Sequence, residues 1–187
     1  MSDILRLNLG CGQNPLENYV NVDKFGNPDV VCDLETFPWP WQNNSVDEVV
    51  LNHVLEHIGE TTQVFLNFMK ELYRICKPGA EIQINVPHPR HDNFINDPTH
   101  IRIITPEVLK HFSKSINEQW KSEQAAGTPL ALYLDVNFEI IDVKYVICEP
   151  WQTSYSLGEI TLDELQTCLA RYNNVAMTIR MRLKAIK

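Results

Sequence analysis

The residues that could do chemistry begin at Gly10-Cys11-Gly12. This loop follows the apolar run Ile4, Leu5, Leu7 and Leu9 and precedes two aspartates, Asp23 and Asp33. Gly10 and Gly12 lack Cβ atoms, so the backbone there can take positive φ and admit a ligand closely. Asp23 closes the segment Tyr19-Val20-Asn21-Val22-Asp23. A strand, a glycine turn, a second strand and then a carboxylate is the arrangement that holds a nucleoside ribose. A Gly-x-Gly pair alone is a weak signal, and an isolated strand-end aspartate only caps a turn. Two such aspartates at matching strand ends beside a glycine loop favour ligand roles. A second reactive stretch lies at 87–104, where His88, Arg90, His91, Asp92 and His100 crowd together between prolines. Histidine titrates near neutral pH and can take a proton from a hydroxyl or amine nucleophile. The plain alternative there is a solvated polar loop.

The surrounding pattern supplies elements to position these groups. Strands are predicted at Ile4–Leu9, Tyr19–Asp23, Pro28–Leu34, Val46–Leu51, Glu81–Val86, Phe138–Ile147 and Val175–Leu183. From Thr61 to Cys76 the apolar positions Val64, Phe65, Phe68, Met69, Leu72 and Ile75 follow a helical period, which Lys77-Pro78-Gly79 ends. Thr105-Pro106-Glu107 is a helix start whose stripe runs from Val108 through Phe112 and Ile116 to Trp120, and Thr161–Glu164 is a capping box. Phe37-Pro38-Trp39-Pro40-Trp41 is extended because each proline biases its predecessor away from helix, and its tryptophans read as core or rim packing. Strict alternation in Val175–Leu183 suits an antiparallel strand with one polar face. Together these predict an α/β, doubly wound, mostly parallel sheet with an antiparallel C-terminal strand. Its ligand would lie across the strand ends where Gly10, Asp23, Asp33, Asn52 and Pro87 fall.

Composition narrows the field. With 187 residues, one domain is expected, and 44% apolar with 21% charged residues is an ordinary globular balance. No apolar run approaches the ~20 residues of a membrane helix, and Met1-Ser2-Asp3 has no leader character. Five dispersed cysteines without a Cys-x-x-Cys pair suit free thiols in a reducing compartment. A cytoplasmic protein without a membrane partner is therefore expected. A net charge of −8 disfavours nucleic acid as a partner. The basic residues Arg171, Arg180, Arg182, Lys184 and Lys187 read as the solvated face of a strand rather than a phosphate site.

Five segments carry a family resemblance: Leu7–Gly12; Asn21-Val22-Asp23; Cys32-Asp33-Leu34 through Pro38-Trp39 to Val46-Asp47; Asn52–His57; and Leu72–Ala80. In register they resemble a class I S-adenosylmethionine-dependent methyltransferase of the small, single-domain kind, over residues 5 to about 87. The resemblance implies a seven-stranded Rossmann-like sheet, one domain over 1–187, S-adenosylmethionine as cofactor and a methyl-acceptor substrate as partner. It implies that Gly10 and Gly12 let the backbone approach the methionine portion, that Asn8 and Cys11 also contact the cofactor, and that Asp23 accepts from the ribose hydroxyls. Asp33 would accept from the adenine amino group with Leu34 beside the ring, and Asn52 would sit where sulfonium and acceptor meet. His53, Arg90 and His91 are the expected substrate contacts, and His88 or His100 the expected general base. Only ten residues, interrupted by Pro15, separate Gly12 from Asp23, so the first crossover helix is expected to be shortened or lost.

Other chemistries compete for the same residues. His53-Val54-Leu55-Glu56-His57 fits the His-x-x-Glu-His pattern of some zinc peptidases. That chemistry needs both histidines on one helical face and a third ligand; here the motif follows a strand, so no metal is expected, with His57 packed and His53 near the site mouth. Asn85-Val86-Pro87-His88 echoes an Asn-Pro-Pro-aromatic motif but lacks its second proline and aromatic residue. A nicotinamide dehydrogenase would share the glycine loop and Asp23 but has Pro15 where its third glycine belongs. A module that binds the cofactor without turnover is the remaining alternative. The acceptor expected from charge is a small molecule, glycan or protein.

Overall fold

The computed structural model describes residues 4–187; Met1-Ser2-Asp3, read above for leader character, lie outside the described residues. Seven strands form one sheet: β1 (Arg6–Leu9), β2 (Val20–Asp23), β3 (Val30–Val31), β4 (Val46–Asn52), β5 (Cys76–Pro87), β6 (Phe138–Ile147) and β7 (Ala176–Ala185). Their order is β3-β2-β1-β4-β5-β7-β6. β1 to β5 pair in parallel, and β7 inserts antiparallel between β5 and β6. The predicted fold class holds, and the strand order reverses between β1 and β4. In open α/β sheets a ligand crevice forms at that reversal.

Register sorts side chains onto two faces, because neighbouring residues on a strand point opposite ways. Leu7, Val49, Ile82 and Leu183 align in one row, with Leu9, Leu51, Ile84 and Met181 in the next. All eight are buried. Against them packs α1 (Thr62–Ile75), which buries Phe65, Phe68, Met69, Leu72 and Ile75 after Thr61 Oγ1 accepts the Val64 amide at its start. The opposite rows read Arg6, Glu48, Glu81, Lys184 and Asn8, Val50, Gln83, Arg182. The expected polar face of the last strand is thus present, and it extends across the sheet.

No helix lies between β1 and β4 among the described residues, so the anticipated loss of the first crossover helix extends to the next two connections. The expected third strand shrinks to two residues, leaving Asp33 in the turn that follows. There the Thr36 amide donates to Asp33 O and the Glu35 amide to Asp33 Oδ1. α1 ends as expected, but β5 begins at once with Cys76 instead of at Glu81. Lys77-Pro78-Gly79 forms an irregularity between the pairs Val46–Cys76 and Glu48–Glu81, made possible by Gly79 at φ +82°. Pro87 to Ile104, expected as loop, contains one short turn of helix, α2 (Asp92–Ile95).

The long helix expected after Thr105 is two: α3 (Pro106–Lys110) and α4 (Lys114–Ser122). Ser113 divides them, its hydroxyl accepting from the Ile116 amide. The buried Asn117 side chain then donates to Lys110 O and accepts from the Ala131 amide, joining both pieces to α5 (Leu130–Leu134). A side chain that satisfies backbone locally competes with helix continuation. Between β6 and β7 lie α6 (Trp151–Ser156) and α7 (Leu162–Arg171), the latter starting with the predicted capping box of Thr161 and Glu164. Among the described residues no helix is long and apolar enough to cross a membrane. All five cysteines are free.

Candidate cofactor cleft

At the carboxyl ends of β1, β2 and β4 a cleft is lined by Gly10, Asp23, Asp33, Leu34, Val54 and Ile58, with Lys24, Cys32, Glu35, His53 and His57 around them. The glycine loop forms its floor. Amides of Gly10 and Cys11 both donate to Val22 O, at 2.8 and 3.0 Å, which turns the chain sharply over the end of β2. Gly10 sits at φ +68°, and a Cβ there would stand 2.6 Å from Val54 Cγ2. Gly10 is therefore required twice, by its backbone and by the close seat of Val54. Gly12, at φ +50°, has nothing within 4 Å of where a Cβ would be, so the space on that side of the loop is open.

The carboxylates are held by backbone amides. Asp23 Oδ2 accepts from Gly12 N at 2.9 Å and Oδ1 from Phe25 N at 2.9 Å, so the carboxylate is oriented before any ligand arrives. Each oxygen retains a second acceptor site. The Leu34-Glu35 wall is tied across the cleft, because Glu35 Oε1 accepts from the Gly59 amide at 2.7 Å. Behind it, Trp39 Nε1 donates to Leu34 O, and Glu71 Oε1 accepts the Trp39 amide. Trp39 is buried edge-on against Phe68 at 5.1 Å, as the core-packing expectation required. Burial opposes ionisation of Glu71, yet its bonds to Arg74 and the Trp39 amide hold its carboxyl below the ordinary value. Two thiols stand by the site. Burial, then Asp23, pushes Cys11 up; burial, then Asp33 and Glu71, pushes Cys32 up. Both are thereby held in the less reactive thiol form.

The structure brings Gly10, Asp23, Asp33, Leu34 and His53 together in the cleft lining. Gly12 joins them through its bond to Asp23. It places the other candidate residues elsewhere. Asn8 is buried and donates to Asn14 O and Asn21 Oδ1, holding the 10–19 connection in place of a crossover helix. Cys11 is buried with its thiol on Gly12 O, and Asn52 accepts from Asn85 Nδ2 at the end of β4. His88, at the end of β5, packs against Tyr145 with ring centres 6.0 Å apart, and its Nδ1 accepts from the Arg90 amide. Burial, then Arg90 and His91, pulls His88 down, so it is neutral at pH 7. His91 caps α2 through Nδ1, and the Arg90 carbonyl accepts from the Asn174 amide. His100 stands beside the cleft, its ring centre 4.6 Å from that of His57.

Sequence reasoning missed Val54, His57 and Ile58 as wall residues. Their signal was the left-handed backbone of His53, at φ +55°, which swings the chain after β4 into a 3-10 turn (Leu55–His57) over the glycine loop. Asn and His tolerate that conformation better than most residues.

Residues 14–84 match a family described as a methyltransferase domain. No curated protein matches the chain. Among solved structures it resembles a SAM dependent methyltransferase from Archaeoglobus fulgidus, with a TM-score of 0.64 at 19% identity, covering 98% of this chain and 86% of that one. The Burkholderia thailandensis 1,6-didemethyltoxoflavin-N1-methyltransferase, solved with S-adenosylhomocysteine, gives 0.54 at 11% identity over 98% of this chain and 71% of that one. The [4+2]-cyclase SpnF gives 0.52 at 13% identity over 98% and 75%. Fold likeness of this kind does not fix a reaction. By its strand order and these likenesses the chain has the Rossmann-like fold of the S-adenosylmethionine-dependent methyltransferases, and over residues 14–84 it is similar to the methyltransferase-domain family.

Proposed function

We propose that the protein binds S-adenosylmethionine in this cleft and transfers its methyl group to an acceptor. The observation that carries the reading is Asp23, presented at the end of β2 with Gly12 bonded to its carboxylate and two acceptor sites left for ribose hydroxyls. Asp33 and the buried Leu34 suit the adenine amino group and ring, and the open side of Gly12 suits the methionine portion. When bound, the cofactor supplies a methyl on a positively charged sulfur that leaves as a neutral thioether. The protein's own task is to hold donor and acceptor in line. The acceptor's lone pair forms the new bond to the methyl carbon, the carbon–sulfur electron pair stays on sulfur, and the acceptor's proton leaves to a base. Of the two histidines expected to take that proton, His100 stands beside the cleft and His88 does not, so this reading retains His100. A net charge of −8 favours a small molecule, glycan or protein acceptor over nucleic acid.

A nicotinamide dinucleotide is disfavoured by the same geometry. Its pyrophosphate needs the amino end of a crossover helix after the glycine loop, and none follows β1 here among the described residues. Calorimetric titration with S-adenosylmethionine, S-adenosylhomocysteine and NAD, repeated on Asp23→Ala, tests the reading. Binding of the first two, weakened at least about tenfold by loss of charge-assisted bonds in the variant, is expected. Binding of NAD alone, or of none, would sink it.

A further inference from the structure

Beside the cleft, three side chains converge that no step above uses as a group. Glu56 is fully buried in the turn after β4. Its Oε1 lies 3.1 Å from His53 Nδ1, while its Oε2 has no partner among the described residues. An orphaned buried carboxylate oxygen is costly, because nothing replaces the water it has lost. Donor atoms of Glu56, His57 and His100 lie within 4.8 Å of one another.

The histidines are prepared in a specific way. His57 Nδ1 faces Thr99 O at 3.2 Å, and His100 Nδ1 faces Phe94 O at 3.0 Å. A carbonyl only accepts, and the Thr99 hydroxyl, 3.0 Å from His57 Nδ1, gives its hydrogen to Asp97 Oδ1, so Nδ1 carries the hydrogen in both rings and the lone pair lies on Nε2. Holding Nδ1–H on a backbone carbonyl is the support that metal-ligating histidines ordinarily receive. The carboxylate is supported likewise, by His53. His100 comes from a different segment, docked here because Glu56 O accepts the amides of Ile101 and Arg102 while the Arg102 guanidinium donates to Gly59 O and Ile58 O. A fourth donor stands nearby: Asp97 Oδ2 is 3.7 Å from His100 Nε2, with Asp97 Oδ1 fixed by Thr99.

From this convergence we propose that Glu56, His57 and His100 bind a divalent transition-metal cation of the zinc class in the wall of the cleft. Two imidazoles with one carboxylate suit zinc, cobalt or iron, whereas magnesium and calcium prefer oxygen ligands throughout. Bonds of about 2.0–2.1 Å draw tetrahedral ligands to roughly 3.3 Å apart, so side chains within 4.8 Å close by rotamer adjustment. This set departs from the His-x-x-Glu-His pattern: His53, a ligand there, here supports Glu56, and the fold supplies His100 from 43 residues beyond His57. Resting on the methyl-transfer reading, the cation replaces the base role given to His100, because it would occupy the lone pair that would take the proton. An acceptor hydroxyl or thiol bound to it would release its proton to solvent, and the resulting anion would attack the methyl carbon.

The test is titration of the metal-stripped full chain with Co2+ and Zn2+. Expected are one equivalent of Co2+ per chain, a visible absorption band, and displacement by Zn2+. Glu56→Gln, which keeps the shape, and His100→Ala should each weaken Zn2+ binding at least about 100-fold. His53→Ala, acting through Glu56, should weaken it about 10-fold. His111→Ala, whose Nδ1 faces Thr128 O and which is not part of the cluster, should leave it unchanged. In the wild-type chain, Zn2+ should protect His57 and His100, and not His111, from acylation by diethyl pyrocarbonate read by mass spectrometry. Uptake that survives both ligand substitutions, absence of stoichiometric uptake below about 100 μM, or histidines left unprotected would each overturn the site. S-adenosylmethionine titration of the metal-free chain separates the outcomes, since cofactor binding without metal uptake removes this inference and leaves the proposed function standing.

Discussion

Leu7, Val49, Ile82 and Leu183 stand side by side in the sheet and are buried, whereas one position earlier on each parallel strand Arg6, Glu48 and Glu81 stand beside Lys184 and keep contact with water. A mostly parallel sheet usually has both faces covered and strands that read as continuous apolar runs. Here the β1–β2 and β2–β3 connections contain no helix and the face opposite α1 is polar, whereas the β3–β4 connection packs Trp39 against Phe68 of α1 on the buried face. Glu48 organises it: Tyr19 Oη and Gln83 Nε2 donate to Oε1 at 2.7 and 2.6 Å, and Arg6 pairs with Oε2 at 3.3 Å. Arg182 continues the row, between Glu81 and Asp142, with about half its side chain exposed. The comparison teaches that one sheet can combine a face that holds the fold together with a face that mainly tolerates water.

The largest expected effect lies on the packed face. Ile84→Ala should cost about 3–4 kcal/mol of unfolding free energy, for lost burial plus a cavity α1 does not refill. Denaturant midpoints should fall with the slope unchanged, and a loss under about 1 kcal/mol would show that the face is not the fold's main support. Glu71→Ala should cost about 2–3 kcal/mol, because it strands the Trp39 amide and Arg74. Its carboxyl is held below the unfolded value of 4.5, so its contribution is present above that pH and fades as pH falls through the lower folded value. The acid arm of the stability profile should therefore flatten in the variant, and two parallel arms would contradict this. Gly10→Ala should cost about 1–3 kcal/mol in backbone strain and displace Val54, with cofactor affinity falling alongside, measurable by calorimetry.

Effects on the polar face should be smaller. Glu48→Ala should cost about 1 kcal/mol, for a hub of part-exposed bonds, and should let the Tyr19 phenol, now pushed up to about 12 by burial and then Glu48, ionise at lower pH in a spectrophotometric titration. Arg182→Ala should stay within about 0.5 kcal/mol. A polar-face substitution that destabilises as much as Ile84→Ala would erase the distinction between the faces.

Much of this was legible from residues alone. Gly10, Asp23 and Asp33 announced the cleft because glycine spacing and strand-end carboxylates are local signals. The polar face was only half read. Alternation was recognised in Val175–Leu183, but the same alternation runs through Glu81, Gln83 and Asn85 against Ile82, Ile84 and Val86, and there it marks the open side of a parallel strand. Asn8 and Asn52 look like site residues in sequence because they sit in or beside the right motifs. In the structure Asn8 donates to Asn21 and Asn52 accepts from Asn85, partners that only the three-dimensional fold brings alongside. His57 and His100 are distant in the chain, and no local pattern could join them.

The insertion of β7 between β5 and β6 has a consequence for how the chain comes off the ribosome. Strands β1 to β4 find partners within a few dozen residues, and the half of the sheet that bears the cleft floor rests on these short-range pairings. β5 waits for β7 across about a hundred residues, as Glu81 pairs with Lys184, and β6 has no sheet partner other than β7. An emerging chain therefore carries a formed cleft floor beside two strands with open edges until Ala176–Ala185 has left the exit tunnel. Such edges invite pairing with other chains. Slowing translation after residue 147 should accordingly raise aggregation of the nascent protein, while slowing it after residue 52 should not.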